Sequence, residues 1–105
     1  MSDIALLWST FADADEAGRV AEAVLTERLA ACVNILAPCT SIYRWQGRIE
    51  RAGEVPALFK TTPDLAERLR DRIAALHGYD LPVIEAWPVG ASTAVSDWIA
   101  AETGA

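Results

Sequence analysis

The segment Asp3–Phe11 (DIALLWSTF) is apolar on both of its alternating faces, with Ile4, Leu6 and Trp8 on one and Ala5, Leu7 and Phe11 on the other. Side chains alternate across a strand, so a segment of this kind needs cover above and below. A sheet built around it cannot leave both sides of this strand to water. The cover has to come from the rest of the chain or from another copy of it.

The chain has 105 residues. Two separate cores would each be too small to be stable alone, so residues 1–105 are read as one domain. After the first strand, Asp13 with Glu16 three residues later marks a helix start. Ala17, Val20, Ala21, Val24, Leu25 and Leu29 recur at helical spacing, which predicts an amphipathic helix to about Ala31. Cys32–Leu36 is rich in strand-forming residues, and Thr40–Trp45 resumes the pattern after Ala37-Pro38, so Pro38 is expected at a bulge or an edge. Gln46-Gly47 is the tightest turn signal of the region. Arg48–Arg51 and Glu54–Thr61 read as the returning arm, with Pro56 expected to push part of it to an edge or an irregularity.

Thr62-Pro63-Asp64 carries a helix start, with Thr as the cap, Pro at the first helical position and an acid in the first turn. Leu65, Leu69, Ile73 and Leu76 follow at helical spacing, and Gly78 is the expected stop. Pro82–Val89 predicts another strand, broken by Gly90, and Ser92–Glu102 a short last helix with Val95, Trp98 and Ile99 on one side. The order is β-α-β-β-α-β plus a terminal helix. That is the α+β, ferredoxin-like plan: a four-stranded antiparallel sheet, two helices on one face, and a long hairpin between the second and third strands. Two helices cover only one face of such a sheet. The doubly apolar first strand, and Ile42, Tyr43, Trp45 and Ile49 on the hairpin, therefore predict an oligomer.

The formal net charge of −6 argues against nucleic acid or an anionic membrane as partner, because both select for Lys and Arg. No stretch approaches the about 18–20 apolar residues of a membrane span. Met1-Ser2-Asp3-Ile4 has no basic region ahead of an apolar run, so no signal peptide is expected. Cys32 and Cys39 are expected as reduced thiols in a reducing, cytoplasmic setting. Seven residues apart on one regular strand, they would point to opposite faces and could not bridge. Phosphate loops, nucleophile elbows, H-E-x-x-H and C-x-x-C are absent from the sequence, so no enzyme is expected.

Five short motifs in order carry a resemblance. They are Leu29-Ala30-Ala31-Cys32-Val33-Asn34, Ser41-x-Tyr43-x-Trp45-x-Gly47, Lys60-Thr61-Thr62, His77-x-Tyr79-x-x-Pro82 and Trp98-Ile99. With these the chain resembles the CutA divalent-cation-tolerance proteins over almost its full length. The resemblance implies a ferredoxin-like fold, a tight homotrimer with strands paired between subunits, and a role in divalent metal-ion tolerance, with copper binding in some members. Copper-binding members place a Cys near the end of the first strand and one or two His before the last strand. Here Ser9 stands at the first position, Leu76 precedes the His, and Gly78 follows it; of that set only His77 is present. A lone imidazole is a weak ligand for copper or zinc.

His77 is the candidate metal ligand; its bland reading is a helix-terminal residue facing the dipole. Tyr43 and Trp45, equally spaced on one strand face, fit subunit packing or a stacking platform for a ligand. Lys60, ending an apolar strand, fits a surface lysine or a cleft cation that meets a small anionic ligand. Glu85 is unexpected if its strand is central, and could pair with Lys60 or an Arg. Tyr43, Trp45, Lys60, His77 and Tyr79 together are the candidate lining of clefts between subunits. The two functional readings are a trimeric divalent-ion-tolerance protein that binds or regulates, and a metal-independent trimeric scaffold or small-ligand sensor.

Overall fold

The structure, a computed structural model, describes residues 1–104. Its elements are β1 (Ser2–Phe11), α1 (Ala14–Thr26), β2 (Cys32–Ile35), β3 (Cys39–Trp45), β4 (Arg48–Thr61), a 3₁₀ turn (Pro63–Leu65), α2 (Ala66–Leu76), β5 (Ile84–Ala91) and α3 (Thr93–Glu102). The sheet runs β2-β4-β1-β5, all antiparallel, and β3 pairs with the other half of β4. This is the expected ferredoxin-like α+β arrangement, with the expected second strand divided into β2 and β3.

The division changes which residues share a face. β2 pairs Cys32 with Lys60 through Ile35 with Ala57, whereas β3 pairs Cys39 with Glu54. Three residues, Leu36 to Pro38, therefore oppose only Val55 and Pro56. One extra residue is a bulge, and it reverses the alternation beyond it. Cys32 and Cys39 consequently point to the same side, not to opposite ones. They stay free thiols because six residues of β4 separate their partners, about 20 Å at the strand rise.

β4 runs through Pro56, and the irregularity expected there is the bulge opposite it. Pro56 is buried in the strand, opposite Thr10 near the end of β1, and its carbonyl accepts from Leu36 N at 2.9 Å. Its missing N–H falls where the neighbouring ladders run out. Gly90 likewise does not break β5; it lies opposite Asp3 within the strand. At the hairpin tip Gln46 and Gly47 both take positive φ, 50° and 79°, the two-residue turn whose twist matches the flanking strands.

The first helix starts where its cap predicts. Asp13 Oδ1 accepts from Glu16 N at 2.8 Å, and the Glu16 carboxylate accepts from Ala12 N at 3.2 Å. It ends at Thr26, not near Ala31. Arg28 adopts a left-handed φ of 60°, Arg28 N donates to Leu25 O, and Leu29 N donates to Val24 O at 2.9 Å. That is a Schellman closure at a residue other than glycine. The unfavourable backbone is held by distant bonds: the Arg28 guanidinium donates to Ala101 O and Gly104 O, and Gly104 N donates to Arg28 O. At α2 the hydroxyl of Thr62 makes no cap bond, and the Pro63–Leu65 turn leads in instead. Gly78 follows the helix for reasons of space. A Cβ there would collide with the Glu16 carboxylate, which accepts from Gly78 N at 2.9 Å.

The registers sort the sheet into two faces. Leu7 and Phe11 of β1 lie with Ala57 and Phe59 of β4, all fully buried, in one cluster with Val20 and Val24 of α1 and Leu69 and Ile73 of α2. Leu6 and Trp8 point the other way, with Leu58 of β4 and Trp87 of β5. On that side α3 packs against β1 and β4 and buries Ile99, but Leu6, Trp8 and Leu58 stay only partly buried and Trp87 is 40% exposed.

Candidate ligand cavity

Beyond the end of β1, the outer part of the hairpin and the segment after α2 border an open groove of about 460 Å³. Thr10, Tyr43, Arg44, Trp45, Glu54, Tyr79, Asp80, Leu81 and Val83 line it. The bulge makes this lining possible. Because β3 is shifted by one residue against β2, Tyr43 and Trp45 fall on the same side of the ribbon as Glu54. Tyr43 and Trp45 are each close to half-exposed.

Glu54 is the unusual member. A carboxylate is rarely enclosed, yet this one is only 9% exposed. Tyr79 Oη donates to its Oε2 at 2.9 Å. Burial, and then the Glu54 carboxylate itself, push the Tyr79 hydroxyl up to about 12, so it remains a donor through the physiological range. No ion pair reaches Glu54 among the described residues.

His77 lies beneath this pair and holds Tyr79 in place. Its Nδ1 accepts from Tyr79 N at 3.2 Å. A backbone N–H can only donate, so the proton of a neutral ring sits on Nε2, which donates to Thr10 O at 2.8 Å. The ring stacks on Phe11 at 4.5 Å and leans on Tyr79 at 4.8 Å. Both nitrogens are thus committed and the residue is 9% exposed. Ser9, at the position of the missing thiol, is fully buried and donates to Val83 O at 3.0 Å. No group of three His, Cys, Asp or Glu side chains gathers among the described residues. Within one subunit these donors do not fit a soft divalent ion.

Within one subunit Tyr43, Trp45 and Tyr79 share a groove, with His77 in support. Lys60 lies apart from them. It lies between Leu6 and Cys32, six residues along β4 from Glu54, about 20 Å away at the strand rise. Glu85 is exposed on β5, an edge strand, and forms no ion pair with Lys60 or an Arg among the described residues. Sequence reasoning weighed the carboxylate of the edge strand and passed over Glu54, Thr10 and Asp80. The available signal for Glu54 was a charge opening an otherwise apolar run, EVPALF.

A family model described as CutA1 divalent ion tolerance protein matches residues 5–102. The divalent-cation tolerance protein CutA of Thermus thermophilus is 40% identical over 105 residues, spanning 99% of this chain and 100% of that one. Its counterpart from Pyrococcus horikoshii is 44% identical over 79 residues, 75% of this chain and 76% of its own. The crystal structure of CutA from Xylella fastidiosa superposes with a TM-score of 0.93 at 38% identity, covering 98% of this chain and 100% of that one.

Proposed function

The chain belongs to the CutA1 divalent ion tolerance family, and on that premise we propose that it works as a homotrimer with a binding or regulatory role in divalent-ion tolerance, not a catalytic one. The observation that carries the assembly is the second sheet face. Leu6, Trp8, Leu58 and Trp87 form an apolar surface that α3 leaves partly open, and Ile42 and Ile49 of the hairpin are 56% and 71% exposed. Exposed apolar area of this extent favours a partner surface. A second copy of the same chain supplies one, with β2, β3 and β5 as strands with an unpaired edge. The same reading places the trimer in the cytoplasm, where Cys32 and Cys39 persist as thiols.

Native mass spectrometry with and without copper or zinc tests this reading. The expected species is a trimer; a monomer at working concentration overturns the assembly. Ion contact through His77 would have to break one of its two ring bonds. A fixed uptake of three ions per trimer, lost in His77→Gln, supports such contact. A trimer without defined uptake assigns the tolerance role to something other than direct ion binding at this residue.

A second reading is favoured by the cavity itself: a trimeric small-ligand sensor that needs no metal. A concave site with aromatic walls and a few convergent polar groups is the usual form of a small-molecule pocket. Lys60, the cation expected to select an anion, is not part of it.

A further inference from the structure

We propose that the cavity walled by Tyr43, Trp45 and Tyr79 binds a small organic cation, an ammonium or guanidinium group seated on Glu54. This rests on the second reading, that the cavity is a ligand site, and assigns the class of ligand.

The sign of the site follows from where its charges lie. Glu54, Asp80 and Arg44 are its charged residues. Arg44 and Asp80 are exposed, so water and salt screen them. Glu54 is enclosed and is screened far less. Its Oε2 takes the Tyr79 hydroxyl. Its Oε1 accepts no hydrogen bond among the described residues and faces the open groove, since no buried side-chain oxygen there is left unpaired. No Lys or Arg among the described residues pairs with it, so a cation entering the groove meets a free carboxylate oxygen. A ligand ammonium completes the pair through charge-assisted hydrogen bonds. The walls suit the same guest, because aromatic rings attract a cation through their faces. An anion would meet Glu54 directly and gain nothing from the rings. The support beneath is rigid, since both nitrogens of His77 are used to fix Tyr79 and Thr10.

Three probes with the same ring and different charge test the proposal: benzylammonium, benzyl alcohol and benzoate. Each is titrated into the ¹⁵N-labelled trimer at constant ionic strength, following the Tyr79 amide and the Trp45 indole N–H. Benzylammonium is expected to bind at least about tenfold more tightly than the alcohol, the difference that one desolvated cation–ring contact or ion pair supplies. Benzoate is expected not to bind. Glu54→Gln keeps the shape and an acceptor for Tyr79, and should bring the ammonium down to the affinity of the alcohol. Equal binding of all three, or a preference for benzoate, overturns the cationic assignment while leaving a ligand cavity. Resonances unmoved by any probe overturn the cavity reading and the proposal with it.

Discussion

The two faces of the sheet are built from the same strands and reach different ends. On one, Leu7, Phe11, Ala57 and Phe59 meet α1 and α2 and lose all contact with water. On the other, Ile4 is buried, whereas Leu6, Trp8, Leu58 and Trp87 are only partly covered. The first face is closed by the chain itself, and its apolar groups stabilise the monomer. The second keeps its apolar area for an encounter, so in our reading its residues contribute to assembly more than to the fold of one subunit.

The strongest test of that contrast exchanges one large aromatic on each face. Phe59→Ala should cost about 3–5 kcal/mol, the usual range for emptying a core aromatic site, read as a lowered urea midpoint. Trp87→Ala should leave the far-ultraviolet spectrum of the subunit intact and shift light scattering toward smaller species. Should Trp87→Ala unfold the subunit as readily as Phe59→Ala, the two faces do not differ in kind.

Smaller effects probe how the closed side is fastened. Gly78→Ala forces the Glu16 carboxylate away and removes its bonds to Ala12 N and Gly78 N. A loss of about 1–2 kcal/mol is expected, as for a helix cap, measurable by chemical denaturation. Arg28→Ala loses the bonds to Ala101 O and Gly104 O and keeps a side chain in the left-handed region. Arg28→Gly loses the same bonds without that backbone penalty. The alanine variant should therefore be less stable than the glycine variant by about 1 kcal/mol; the reverse order would mean that the φ of Arg28 carries no strain.

On the cavity side the check is alkaline. The Tyr79 hydroxyl is raised from its ordinary value near 10 to about 12. A raised acid stabilises the fold while it is neutral, so this contribution is complete below pH 10 and is lost as pH rises through 12. Tyr79→Phe should flatten the thermal-melting profile in that window. The smallest effect is expected at the surface pair of Arg72 and Glu27, bonded at 2.8 and 2.9 Å. The hydrogen bond from Arg72 holds the Glu27 carboxyl below its ordinary range. Its contribution is therefore present above that range and lost on acidification, and Arg72→Gln should move the neutral-pH midpoint by no more than its scatter.

Much of this was legible in the sequence because local chemistry decides it. The apolar alternation of Asp3–Phe11, the Asp13 cap and the Gln46-Gly47 turn each act within a few residues, and each lies where the pattern places it. The end of the first helix was not legible, because the bonds that hold Arg28 come from the far end of the chain. Gly90 was misread for a related reason. It disfavours a strand locally and is carried by pairing with a distant segment, whereas Pro56 lies opposite the bulge, the irregularity expected there. The cavity was half legible: Tyr43, Trp45 and Tyr79 stand out as large aromatics, whereas Glu54 looks like any surface acid.

By itself the sequence determined the order of elements, the ferredoxin-like class and a second apolar face on the first strand. These follow from periodicity and capping. Only the tertiary structure decided which side chains meet. A single extra residue between β2 and β3 turned the hairpin over, placing Tyr43 and Trp45 beside Glu54 and leaving Lys60 far along the same strand. Register is a relation between two strands, and no residue of either strand carries it alone.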